Sequence, residues 1–139
     1  MIGLDTNALL RLLTEDDAAQ AAQVRKRLAS LDNLAESVLL NNIVLVETLW
    51  TLRRLYGFER AQLQGLLGQL LSASTFGFED RATVSRATDL YCDPSNGAAD
   101  FSDCLIAVQN TRLGCEVTVT FDKGMTALPK VEVLRSKFA

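Results

Sequence analysis

Apolar residues in this chain fall in short runs that alternate with helical stripes. Residues 1–4 are a short apolar run, and Asp5-Thr6-Asn7 then opens a stripe through Leu9, Leu10, Leu12 and Leu13, which predicts a strand turning directly into a helix. Thr14-Glu15-Asp16-Asp17 offers caps and first-turn acids for a second helix over residues 18–31. Val38–Leu40 reads as a strand, and Asn41 or Asn42 can cap a strongly apolar helix that runs to about Tyr56 and closes at Gly57. A further helix is expected over 59–71, where Gly65 and Gly68 either weaken it or mark close packing. The pattern continues with a strand at 75–78, a helix at 80–91, a loop at 94–97 and a helix at 99–112. A β-branched strand at 116–121 and a short strand at 131–134 complete it. Strands alternating with helices imply a parallel sheet covered on both faces, with ligands gathering at the carboxyl ends of the strands. The length, 139 residues, suits one domain spanning 1–139.

Acidic residues interrupt this pattern where a carboxylate is costly. Asp5 and Asp122 follow two candidate strands directly, so both belong to the carboxyl edge of the sheet. Glu47 has Ile43, Val44, Trp50 and Thr51 as its helical neighbours, which sets it in an apolar stripe with no cation at either spacing. Asp100 and Asp103 share one helix face, where like charges repel unless a cation or proton separates them, and Asp103 is expected deeper in its helix beside Cys104, Leu105 and Ile106. Each acid also has a plainer reading: Asp5 and Asp100 as helix caps, Asp122 as a turn residue. Taken together, Asp5, Glu47, Asp103 and Asp122 are expected to converge on one pocket. Ionised carboxylates drawn into a shared interior need a cation, and oxygen ligands suit a hard divalent metal.

Composition then narrows the chemistry. The chain has no histidine, so an imidazole acid and base pair is excluded, as is a serine or cysteine nucleophile activated by imidazole. What remains is a metal that lowers the pKa of its water and stabilises the oxygens of an in-line displacement at phosphorus. Three cysteines without C-x-x-C spacing suggest neither a disulfide framework nor a zinc site, and a reducing cytoplasm is expected. No apolar run reaches membrane-spanning length. The net charge of −3 lacks the basic footprint of a duplex-DNA binder, although Arg25-Lys26-Arg27, Arg53-Arg54 and the pair Arg81 and Arg86 gather positive charge locally. A solvated helix face is the simpler reading of any one of these clusters.

Four segments carry a resemblance. They are Ile2-Gly3-Leu4-Asp5-Thr6-Asn7, Val46-Glu47-Thr48-Leu49, Ala99-Asp100-Phe101-Ser102-Asp103-Cys104-Leu105-Ile106-Ala107 and Val119-Thr120-Phe121-Asp122-Lys123. In this order and spacing the chain resembles PIN-domain proteins, most closely the VapC-type ribonuclease toxins of bacterial toxin–antitoxin pairs. The resemblance implies a three-layer α/β/α sandwich with a central parallel sheet. It further implies an acidic quartet of Asp5, Glu47, Asp103 and Asp122 around Mg2+ or Mn2+, with Asp100 as an accessory acid and metal ligand. Asn7 and Thr120 would support the quartet, the roles of Asp100 and Asp103 being exchangeable. The implied substrate is single-stranded or loop RNA, with Arg11, Arg54 and Lys123 as candidate phosphate contacts. The implied partners are an antitoxin protein and a second copy of the chain, since the helices near 43–56 and 63–71 look more apolar than one packing face needs. Two other readings are a PIN fold turned catalytically silent binding module and a receiver-like signalling domain. The receiver fits poorly, because Asp5 stands alone after the first strand.

Overall fold

A computed structural model of the chain describes residues 1–135. They form a mixed α/β structure with six helices and strands that pair in parallel, the fold class expected from the alternation. Two compact units divide the chain, Met1–Arg81 and the residues from Ala82 onward.

In the first unit, β1 (Ile2–Gly3), β2 (Val38–Leu40) and β3 (Phe76–Phe78) form a sheet in the order β1-β2-β3. Ile2 pairs with Val38, and Val38 in turn with Phe76. Helices α1 (Thr6–Thr14), α2 (Ala18–Ala29), α3 (Asn42–Leu55) and α4 (Arg60–Ser72) accompany it. Their starts follow from local chemistry. Asp5 accepts the Ala8 amide, Asp17 the Gln20 amide and Asn41 the Val44 amide, each satisfying a donor that the first helical turn leaves unpaired. Glu59 forms a capping box with Gln62. Helix α3 ends where Gly57 takes a φ of 69°, the left-handed conformation that closes helices. Leu9, Val38, Leu40, Leu45, Leu52 and Leu67 make the buried core.

Several details depart from the sequence reading. The acids at 15–17 do not enter the first turn of α2: Asp17 caps it, whereas Asp16 accepts hydrogen bonds from the Tyr56 hydroxyl, Thr14 and Arg11. Those bonds, the one from Tyr56 first, hold the Asp16 carboxyl below the usual carboxylate range and tie the end of α1 to the end of α3. Gly65 and Gly68 mark no close packing, since a Cβ at either would meet nothing within 4 Å. The apolar side of α4 is largely taken up inside the fold through Leu63, Leu67 and Leu70.

The second unit holds α5 (Arg81–Cys92, beginning at the boundary), α6 (Phe101–Arg112), and the parallel pair β4 (Thr118–Thr120) and β5 (Val131–Val133). Tyr91 and Phe101 meet edge to face with ring centres 6.0 Å apart. The expected loop near 94–97 contains a 3-10 turn, Pro94–Asn96, opened by Asp93. Among the described residues no disulfide joins the cysteines, and no helix is long and apolar enough to cross a membrane.

Candidate active site

In the first unit the chemistry gathers at the carboxyl ends of the strands. Two residues after β1, Asp5 turns the chain into α1 and uses Oδ1 to accept the Ala8 amide at 2.8 Å. Glu47 stands in the second turn of α3, which follows β2. The Thr6 hydroxyl donates to Glu47 Oε1 at 3.0 Å, so residues 41 apart in sequence become neighbours. Glu79, just past β3, accepts the Asn42 amide at 2.7 Å and helps fix the start of α3. Asn7 is exposed in the first turn of α1.

Glu47 corrects the sequence reading. Its apolar neighbours Ile43 and Trp50 are 69% and 59% exposed, and Glu47 is exposed with them. The side of the helix that carries Ile43, Glu47 and Trp50 faces outward, whereas α3 buries Val44, Leu45, Thr48, Leu49 and Leu52. Arg11 is held by Asp16 at 3.0 Å and by Gln20 at 2.6 Å. Arg54 lies beside the Trp50 ring, its guanidinium carbon 5.9 Å from the ring centre. Arg81 binds the Leu71 and Phe76 carbonyls and pairs with Glu36, which makes it a structural cation. A cleft of about 420 Å3 beside Ile2, Leu4, Val24 and Leu28, with Gln23 and Arg27, includes none of the acids.

In the second unit Asp100 and Asp103 form a capping box at the start of α6. The Asp103 Oδ2 accepts the Asp100 amide at 3.0 Å while the Asp100 side chain accepts the Asp103 amide. Asp103 thus lies in the first turn of α6, not deep within it. Asp122 follows β4: the Thr120 Oγ1 accepts its amide at 3.0 Å, and its own Oδ1 accepts the Gly124 amide at 2.8 Å. Lys123, between them, is exposed. Gly124 runs so close to Ala98 that a Cβ there would stand 2.8 Å from the Ala98 carbonyl oxygen. That contact brings the Asp122 turn to the residues just before α6.

Half burial pushes the Asp103 carboxyl up, and the charges of Asp122 and Asp100 push it further, against the opposing bond from the Asp100 amide. The Asp103 carboxylate therefore feels both of its acidic neighbours. In Asp5, Asp103 and Asp122 the hydrogen bonds to amides occupy one oxygen each. Among the described residues no three His, Cys, Asp or Glu side chains are gathered closely enough to hold a metal ion by themselves. The donor chemistry still suits a hard cation, being all oxygen and negative, with Asp103 repelled by both Asp100 and Asp122.

Two residues escaped the sequence reading. Thr6 was visible only as part of an Asp-Thr-Asn start, and nothing local signals its bond to Glu47. Nothing in the sequence singles out Gly124, whose place is demanded by a close backbone approach. No curated protein and no solved structure matches the chain. The sequence model of the PIN domain matches residues 2–131, nearly all of it, and the chain belongs to the PIN-domain family, whose members are generally nucleases.

Proposed function

We propose that this chain is a divalent-metal-dependent endoribonuclease acting as one nuclease domain, and that it is the VapC-type toxin of a cytoplasmic toxin–antitoxin pair. The observation that carries the metal-dependent reading is the crowding of Asp103 by Asp122 and Asp100, a repulsion that a bound cation relieves. The family match spans both units, which supports a single domain.

Asp5, Asp103 and Asp122 would hold Mg2+ or Mn2+, with Asp100 as a further ligand. When bound, such an ion supplies a nucleophile at neutral pH by lowering the pKa of water and offsets the charge that builds on the phosphate. Glu47 orients the attacking water with one carboxylate oxygen while the Thr6 hydroxyl holds the other. Thr120 fixes the Asp122 backbone, and the family resemblance would have Asn7 support Asp5. Of the three candidates, Lys123 and Arg54 are exposed and open to phosphates, whereas Arg11 is engaged by Asp16 and Gln20. An antitoxin partner and a homodimer rest on the resemblance to VapC-type toxins.

The test is cleavage of total RNA with Mg2+ or Mn2+, with chelator, and by Asp5→Asn and Asp103→Asn. Activity is expected to vanish in chelator and to fall at least about a hundredfold in each variant, because a lost ligand charge misplaces the ion. Undiminished cleavage in chelator refutes the mechanism. RNA that binds without being cleaved makes the chain a silent binding module.

A further inference from the structure

The outward stripe of α3 has a composition that suits an unpaired nucleobase. Trp50 is 59% exposed and is the chain's only tryptophan. It stands three residues after Glu47, about 4.5 Å along the helix axis at roughly 1.5 Å per residue. Ile43, 69% exposed, precedes Glu47 by one turn on the same side, and the guanidinium carbon of Arg54 lies 5.9 Å from the Trp50 ring centre. Arg53 adds a second exposed cation to this end of the helix in a chain of net charge −3.

An isolated surface tryptophan needs no explanation. Here the ring has a cation beside it and stands on the same helix as the exposed acid Glu47, three residues away. Proteins that hold single-stranded RNA combine an aromatic face, on which a base stacks, with arginine for the neighbouring phosphate. We propose that Trp50 is a positioning residue that stacks an unpaired base of single-stranded RNA, with Arg54 on the adjoining phosphate, and so delivers the backbone toward Glu47. This rests on the ribonuclease reading. Arg54 beside the ring and Arg53 exposed at the same end of the helix favour a polyanion over a second copy of the same stripe, which would bring like charges together.

Because Trp50 is the only tryptophan, its fluorescence reports on this face alone. The full-length Asp103→Asn chain, with Mg2+, is titrated with a single-stranded oligoribonucleotide and with an RNA duplex, while the anisotropy of a labelled oligonucleotide records binding independently. Quenching by the single strand and not by the duplex is expected. In the cleaving enzyme Trp50→Ala should raise KM about five- to a hundredfold, with a smaller effect on kcat, and Trp50→Phe should recover most of the loss. RNA binding seen by anisotropy with unchanged fluorescence overturns the proposal. So does fluorescence that depends on protein concentration without RNA, which would make the stripe a contact between copies. Quenching by single-stranded RNA in a wild-type chain that never cleaves would leave the stacking role standing and refute the ribonuclease.

Discussion

Replacing Gly124 with alanine should damage both stability and cleavage, and the structure sets the scale. The new Cβ would lie 2.8 Å from the Ala98 carbonyl oxygen and 3.0 Å from Asp122 Oδ1, whereas ordinary contact begins at 3.4 Å, so the carbonyl must retreat, by about 0.6 Å where ordinary contact is restored. That oxygen belongs to the backbone and cannot swing aside as a flexible side chain would. Overpacking of this kind costs about 1–3 kcal/mol, and disturbing the bond from the Gly124 amide to Asp122 adds about 1 kcal/mol. Together these amount to about 2–4 kcal/mol, and at this length a shift of about 3–4 °C per kcal/mol gives a fall of about 6–16 °C in melting temperature. Cleavage should drop about ten- to a hundredfold, since the displaced turn carries Asp122. Thermal unfolding followed by circular dichroism, beside an RNA cleavage assay, measures both. Gly65→Ala is the control, because its Cβ meets nothing within 4 Å and alanine in an exposed helix should stabilise by about 0.5–1 kcal/mol. A Gly124→Ala chain that melts within about 1 °C of wild type and cleaves normally would refute the close approach and the placement of the Asp122 turn.

The carboxyl of Asp103 is raised above its ordinary value of 3.8, so the folded state binds its proton more readily than the unfolded state does. The chelated protein should therefore gain stability as pH falls through this raised pKa toward 3.8, whereas Asp103→Asn should melt higher at pH 7 and lose that slope; a less stable Asp103→Asn would mark Asp103 as a satisfied structural acid. Asp16 and Asp93 act oppositely, their lowered pKa values contributing stability at neutral pH that is lost only below their ordinary 3.8, so the two effects separate in a pH series of urea midpoints. Added Mn2+ should stabilise wild type in proportion to the logarithm of its excess, about 2.7 kcal/mol at a hundredfold excess over Kd, and Asp103→Asn much less, as differential scanning calorimetry would register. Thr6→Val should reduce cleavage about tenfold while costing no more than about 1 kcal/mol in a denaturant titration, with Thr6→Ser close to wild type; equal cleavage by the valine variant would free Glu47 from any need of this hydroxyl.

What depends on neighbouring residues was legible in the sequence. Val38–Leu40 appears as a strand at the expected residues, Asp5 and Asn41 cap the helices they precede, and the acids follow strands because a chain leaving a parallel strand turns at once into a helix. Apolar periodicity, by contrast, records that a helix has two sides and not which side is covered. Glu47 was therefore assigned to an interior stripe that α3 in fact turns outward, since Leu45 and Leu52 fill the core and Ile43 and Trp50 do not. The capping box of Asp100 with Asp103 lay at the limit of local reading, its two acids visible but their reciprocal bonds dependent on where α6 begins. Tertiary structure alone decided the bond from Thr6 to Glu47, the pressure of Gly124 on Ala98 and the charge of Asp122 upon Asp103. Each joins residues that no local pattern links, and a hydrogen bond, a steric limit or a Coulomb repulsion acts only once packing has set the distance.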